Sequence, residues 1–510
     1  MSRIGTYGAN QLYLSRLAAV QKRLATEQSQ VATEKKSTSY RGIAADTNRL
    51  INLENEKKRA QNFITSNDSV TTRLKAANVS MTAMETTMKN VQKRLDEFAQ
   101  SSTKDQQKVE ELQKWAFDAM VDMQSYLAAN VDGQYIFSGG RVADEPVRLA
   151  AGSLEGFQQI FDGNDHTYPT TRAANLVDLN TDSTMTGNIS FDAATGTINA
   201  ASLTTSPNVL SNIPVGSRIT IDDSAAGAND GKSFTVRGVT VNGTGTHIDV
   251  SPLTTEGPVA GTIQYTDPAG VSQTVASNLT FAPGSDQITV TNSSGLTLNQ
   301  VFTVSGTASN NGTYAVTGIT AGPPDTVTIQ STKVTTQAAS ANISLQADSW
   351  YRGDNIQLQQ RIDTDRTVDV GTYASDPAFE KTFRALGLIA QGVYGTAGGL
   401  ENNLGRVDDA RFLIKDAIAR NGSGVGPFGL EEVGDIEQLQ TKVGVTANLI
   451  GVKTAKHKDF SGFLDTRIID MENVDKTEAV ARLLDDQQAM QTAYQTLATV
   501  RGLSLLNYMK

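Results

Sequence analysis

Residues 70–98 read VTTRLKAANVSMTAMETTMKNVQKRLDEF, and the fold turns on this stretch. Its apolar side chains fall at Val70, Leu74, Ala77, Met81, Met84, Met88, Val91, Leu95 and Phe98. The steps alternate four and three through about four heptads, which keeps one seam on one side of a helix. At about 1.5–3 kcal/mol per large apolar side chain, burying it is worth roughly 10–20 kcal/mol gross. Such a helix does not stand alone in water. It needs partner helices, and the rest of the chain must supply them.

Upstream, residues 1–36 carry a weaker seam at Tyr13, Leu17, Val20, Leu24 and Val31, with Glu27 standing at a core position. Its many polar residues make this helix marginal alone, so it gains order only in an assembly. Lys35 to Gly42 is a break. Helical spacing resumes at Leu50, Leu53, Ala60 and Ile64 and runs into the organising stretch. After a loop at Ser101–Asp105, rich in N-capping residues, another helix carries Val109, Leu112, Ala116, Ala119, Met123 and Leu127.

The character changes beyond Asn130. Asp132-Gly133 predicts a turn and Tyr135-Ile136-Phe137 a short strand. From about 150 to 349 the chain is rich in Thr, Ser, Gly, Val and Asn, with alternating runs between turn signals. That pattern predicts an all-β region. The region also echoes itself. Asn188 to Phe191 matches Asn278 to Phe281, Arg218 to Ile221 matches Val301 to Val304, and Phe234 to Val239 matches Tyr314 to Ile319. The offset is about 80–90 residues, which reads as two copies of a small β-sandwich or barrel unit.

Helix returns at Asp376-Pro377, breaks at Gly395 and Gly398-Gly399, and resumes from Leu404 to Asn421. A Gly-rich turn over Asn421–Gly429 leads to a long helix expected from Leu430, with Ile436, Leu439, Val443, Ala447 and Ile450 on one face. After Asp475 a last helix carries Val480, Leu483, Met490, Tyr494 and Leu497, and the chain ends in Ser504-Leu505-Leu506-Asn507-Tyr508. The expected class is α+β and multidomain, with long heptad helices from both termini paired into a rod or coiled-coil bundle around an inserted all-β centre. Residues 1–45 with 466–510 form a terminal helical assembly domain, disordered in the monomer. Residues 46–148 with 350–465 form a helical rod domain, and 149–349 the inserted β-rich domain.

Composition narrows the function. The 510 residues carry a net charge of −10, which gives no support to nucleic-acid or anionic-membrane binding. No apolar run is long enough for membrane insertion, and the N-terminus lacks the pattern of a cleaved signal peptide. With no cysteine and only His166, His247 and His457, thiol chemistry is excluded and no metal or cofactor site is expected. Arg352-Gly353-Asp354 spells an adhesion tripeptide, but one such match arises easily by chance. Asp363-Thr364-Asp365 lacks the glycine and closing glutamate of a calcium loop. Glu431-Glu432 and Asp485-Asp486 read as solvated helix-face carboxylates. No catalytic cluster emerges, and the chain reads as a structural protein rather than an enzyme. The residues expected to act are those that pack helices: Leu17, Val20, Leu24, Val31, Leu74, Met81, Met84, Met88, Leu95, Val480, Leu483, Met490, Tyr494, Leu497, Leu505 and Leu506.

Several blocks resemble the flagellin superfamily, in its hook-associated, hook–filament junction branch. Asn130-Val-Asp-Gly-Gln-Tyr-Ile-Phe-Ser-Gly139 is similar to the family's G-x-Y-I-F-x-G segment. Phe157-Gln-Gln-Ile160, Tyr168 to Arg172, Trp350 to Asn355, Arg361 to Asp363, Ala378 to Lys381 and the Ser504–Tyr508 ending look like relatives of the same branch. Ala32 to Lys36 and Gly42 to Asp46 depart from it, having no Asp-Asp pair. The resemblance implies an extracellular subunit of the bacterial flagellum, exported through the type III apparatus with an export chaperone and without a cleaved signal peptide. It implies self-assembly into a ring between hook-associated protein 1 on the hook side and flagellin on the filament side. A filament flagellin is the alternative, and a β-rich surface adhesin a more distant one.

Overall fold

In the computed structural model, the described residues are 2–506 apart from 45, 164, 181–188, 202–208, 267–270, 292–294, 299, 393–399, 401–403 and 421–424. The chain opens with α1 (Ser2–Thr33), a 3-10 turn, α2 (Thr47–Gln100), α3 (Gln106–Leu127), a hairpin of β1 (Asn130–Val131) and β2 (Gln134–Tyr135), α4 (Leu154–Ile160) and α5 (Arg172–Asn175). The central strands are β3 (Leu179–Asn180), β4 (Ile189–Asp192), β5 (Thr197–Ala201), β6 (Arg218–Asp223), β7 (Ser233–Thr235), β8 (Gly238–Asn242) and β9 (Gly245–Asp249). They continue as β10 (Glu256–Thr266), β11 (Ser272–Ala282), β12 (Gln287–Val290), β13 (Val301–Ser305), β14 (Gly312–Thr320), β15 (Asp325–Ile329), β16 (Gln337–Ser340) and β17 (Ile343–Ala347). A hairpin of β18 (Gln359–Asp363) and β19 (Arg366–Asp369) precedes α6 (Pro377–Ala390) and α7 (Leu404–Ile418). A short hairpin, β20 (Val425–Gly426) and β21 (Gly429–Leu430), then leads to α8 (Ile436–Glu472) and α9 (Lys476–Leu506).

Two compact units divide the chain, Met1–Thr71 with Arg361–Arg366 and Asn448–Lys510, and Thr72–Gln360 with Thr367–Ala447. The first unit thus takes in residues 46–71 and 448–465 beside the expected terminal segments 1–45 and 466–510. The reason lies in the first unit, where the early part of α2 and the later part of α8 pack together. Phe63 stacks on His457 at 4.9 Å, Lys57 pairs with Asp465, and Leu50, Ile450 and Leu464 are buried. The tip of the β18–β19 hairpin docks there too. Buried Asn67 donates to the Ile362 carbonyl at 3.2 Å, and Asp363 pairs with Lys453. Helix α2 runs 54 residues unbroken because it contains neither proline nor glycine.

In the second unit the organising seam is covered from end to end: Leu74, Ala77, Met81, Met84, Met88, Val91 and Leu95 are each 2% exposed or less. Its neighbours are α3, α7 and the start of α8. Arg94 lies over the Trp115 ring, Arg411 pairs with Asp96 at 2.6 Å, and Gln440 donates to Glu85 at 3.0 Å. Asp105 caps α3 by accepting from the Lys108 amide, and Asp376 caps α6 ahead of Pro377. Asp132 and Gly133 both have positive φ, 54° and 76°, the signature of the tight turn between β1 and β2. The strand expected through Phe137 stops at Tyr135, because Ile136 and Phe137 turn into the core, where Phe137 meets Phe379 edge-on.

The β region consists of two bodies with a common strand order. Strands β10 to β15 close a barrel in the order β10-β11-β12-β15-β14-β13. The other body has two sheets, β16-β4-β5-β9-β8 and β3-β17-β6-β7. Strands β4, β5, β9 and β8 follow the order of β11, β12, β15 and β14, and β6 pairs with β7 as β13 does with β14. In the barrel β10 bonds to both β11 and β13; in the other body β16 bonds to β4 and β17 to β6. The closing strands of the first body thus come from beyond the second. The echoed sequence blocks lie on equivalent strands, and each body has its own apolar core.

Residues 149–176, expected to be β-rich, instead form α4 and α5 against the helices. Phe157 packs on Phe117 at 5.8 Å and on Tyr168 at 5.6 Å, and the Tyr168 ring fills the space beside Gly387 of α6. The β insertion starts at Leu179, which pairs with Ala347. The long helix expected from Leu430 begins at Ile436. Gly434 at φ +151° breaks the approach, and Asp435 starts the helix by accepting from the Gln438 amide at 2.8 Å. The expected helix break at Gly395–Gly399, residues 421–424 of the Gly-rich turn and the end of the chain at 507–510 lie outside the described residues.

Candidate assembly surface

The terminal helices run antiparallel within the first unit. At their base Lys36 donates to the Glu472 carbonyl and Val474 to that of Glu34, flanked by the ion pairs Lys35–Glu472 and Lys476–Glu34. Further along, the Arg23 guanidinium makes two bonds of 3.1 Å to Asp486, and Gln21 donates to Tyr494 Oη at 2.7 Å. Polar clasps fix the register; little else holds the pair. Among the described residues, Leu24 is the one buried side chain of α1 and Ala479 the one buried side chain of α9. Leu12, Tyr13, Leu14, Leu484 and Tyr494 are 46–59% exposed. A groove of about 570 Å³ runs between the helices, lined by Leu14, Leu17, Val20, Ala489, Ala493 and Leu497. Helices of 32 and 31 residues with so little core among the described residues are marginal in water, because most helical stability comes from packing an apolar face.

The residues expected to pack helices divide into two sets. Leu74, Met81, Met84, Met88 and Leu95 are interior residues of the second unit, satisfied by this chain's own helices. Leu17, Val20, Val31, Val480, Leu483, Met490 and Leu497 are half-buried along the α1–α9 contact, with Leu24 buried and Tyr494 exposed. Leu505 and Leu506 lie in the last turn of α9, outside the residues whose side chains are described. Glu27 sits in this seam with Oε2 buried and, among the described residues, unpartnered. Its loss of hydration, reinforced by the Asp486 carboxylate, pushes its pKa above the ordinary 4.5.

Sequence reasoning missed a buried ionic cluster in the second unit. Arg384 spends its five N–H donors on Glu380, Glu431 and the Thr170 carbonyl, and Lys381 pairs with Asp416 at 2.6 Å. Glu431, expected on a solvated helix face, is 5% exposed and precedes the helix. Its neighbour Glu432 does reach solvent, pairing with Arg172 at 2.5 Å. The signal was Glu380 and Arg384 at helical i,i+4 spacing inside a run apolar on every side. The Arg352–Asp354 tripeptide is internal scaffolding: Asp354 accepts from the Gly140 amide at 2.6 Å, and Tyr351 packs over Gly353. Among the described residues no cluster of His, Asp or Glu could hold a metal ion, and no helix is long and apolar enough to cross a membrane.

Residues 431–509, which include α8 and α9, match the family model of the bacterial flagellin C-terminal helical region. No curated protein matches the sequence. Similar solved structures include flagellar hook-associated protein-3 from Legionella pneumophila, at 10% identity and TM-score 0.27, covering 82% of this chain and 98% of that one. FlgL from Xanthomonas campestris follows at 11% identity and TM-score 0.25, covering 81% and 99%. The flagellar junction protein FlgL from Legionella pneumophila has 12% identity and TM-score 0.23, covering 80% and 99%. Superpositions this loose add no weight to a function.

Proposed function

We propose that the chain is a structural subunit of the bacterial flagellum that joins hook to filament by self-assembly through its terminal helices. One observation carries the reading: among the described residues α1 and α9 pair with almost no core, and the α8–α9 segment matches the flagellin C-terminal helical region. Each subunit brings half-filled apolar seams, and copies packed around an axis complete them, coupling the ordering of the helices to assembly. The partners are further copies of itself, hook-associated protein 1, flagellin, an export chaperone and the type III apparatus; the place is outside the cell. The β bodies are a passenger of the helices, inserted between residues that pair with each other at Leu179 and Ala347. Deleting the gene tests the reading. A junction role requires intact hooks with filament protein shed into the medium, whereas hooks with nothing shed would make the chain the filament subunit itself.

A further inference from the structure

A cavity of about 410 Å³ lies in the second unit where the first β body meets α3, α4 and α5. Its size is that of a small-molecule site. Three arginines line it, Arg148, Arg218 and Arg352, against one carboxylate, Asp348. The Asp348 side chain is 79% exposed and stands 3.7 Å from Arg352, and the Asp162 carboxylate acts on Arg218, so three cations face two carboxylates. The rings of Phe157, Phe161 and Trp350 line it as well.

The donors at this cavity are incomplete. Arg218 Nε, Arg352 Nε and Trp350 Nε1 are buried and, among the described residues, have no hydrogen-bond partner. Trp350 is 7% exposed, its ring held against Phe383 at 4.3 Å. Among the described residues Arg218 has one side-chain bond, from Nη2 to Ser233 Oγ at 2.7 Å, and burial lowers its pKa. A buried donor left unmade costs about 1–3 kcal/mol, and these three belong to residues that line one cavity, which points to an acceptor there. Guanidinium groups favour oxyanions, which they hold with charge-assisted bonds, and the rings supply a wall for an apolar body.

We propose that this cavity binds a small organic oxyanion, a carboxylate or phosphate monoester on an apolar or aromatic body, held by Arg148, Arg218, Arg352 and the Trp350 indole. The proposal stands apart from the assembly reading and does not depend on it. The ligand bridges the helices and the first β body, so it also stiffens their junction.

Trp115 and Trp350 are the two tryptophans, so Trp115→Phe leaves Trp350 emission as a reporter inside the cavity. The full-length variant is titrated with phenyl phosphate, 3-phenylpropionate, inorganic phosphate and benzyl alcohol. The expected result is a saturable change with one of the two organic anions, none with benzyl alcohol, and binding weakened about tenfold or more by Arg218→Met or Arg352→Met. Phenyl phosphate and phenylpropionate separate the two headgroups. Arg352 lies outside the strands, so its variant reports binding even if Arg218→Met disturbs β6; unchanged thermal melting confirms the fold. No response to any anion up to roughly 10 mM overturns the proposal, as does equal binding by both arginine variants. Inorganic phosphate binding as tightly as phenyl phosphate would reduce the cavity to a bare anion site. Binding of an acidic peptide with no response to small anions would make it a protein contact. Either result refutes an organic ligand.

Discussion

Replacing Arg384 with methionine removes the cation that holds two buried carboxylates apart. Glu380 is 0% and Glu431 5% exposed, and Arg384 bridges both. In Arg384→Met, Glu380 retains the Asn175 amide at 2.9 Å and Arg172 at 3.7 Å, but Glu431 loses its charge partner. Breaking one side of a buried pair costs about 3–5 kcal/mol, because the remaining charge has neither water nor a partner. With a urea m-value of roughly 2–3 kcal/mol/M, the midpoint falls by about 1–2.5 M. Trp350 rests on Phe383, adjacent to the cluster, so its fluorescence in a Trp115→Phe background follows the second unit alone. Adding Glu380→Gln and Glu431→Gln removes the stranded charges and restores more than half of the loss. A midpoint shift under about 0.3 M, or a triple variant no better than the single, would refute the electrostatic reasoning.

Met84→Asp, at a fully buried seam position, is expected to collapse the helices of the second unit by burying an unpaired charge, whereas Val79→Asp, 71% exposed on the same helix, leaves circular dichroism and melting unchanged. Because the Glu27 pKa is raised in the folded pair, its stabilising contribution is complete below about 4.5 and disappears as pH rises through the raised value. Glu27→Gln therefore raises the melting temperature of the α1–α9 pair most at pH 7, and the difference from the parent chain closes toward pH 4; a constant difference would contradict the assignment. Removing 180–346 and joining Leu179 to Ala347 through a short linker is expected to keep the helical signal of α2, α3 and α6 intact, since those ends are ladder neighbours. Loss of that signal would mean the β bodies hold the helices together.

The helical framework was legible because its information is local: Leu and Met at three-four spacing mark a buried stripe wherever the partner comes from. The sequence echo of the β region was legible for the same reason. Its closure was not, since β16 and β17 reach back over the whole second body to pair with β4 and β6. The segment 149–176 looked β-like from its Thr and Gly content, and what makes it helical is tertiary, the interlocking of Phe157, Phe161 and Tyr168 with α3 and α6. Glu431 was misread for a related reason. Nothing near it in sequence announces Arg384, 47 residues away. At the assembly surface the seam residues were readable, but the division between satisfied Leu74–Leu95 and half-satisfied Leu17–Leu24 appears only once burial is known.

Limited proteolysis with mass spectrometry, on dilute monomer and on the assembled protein side by side, tests the assembly role of the terminal helices most directly. The expected pattern is rapid loss of about 40–50 residues from each end of the monomer, a surviving core that contains 70–98 and 430–460, and full protection of both ends after assembly. Ends equally resistant in monomer and assembly, with cleavage instead near 178 and 348, would show that α1 and α9 are already satisfied in the single chain and would contradict a subunit completed by its neighbours.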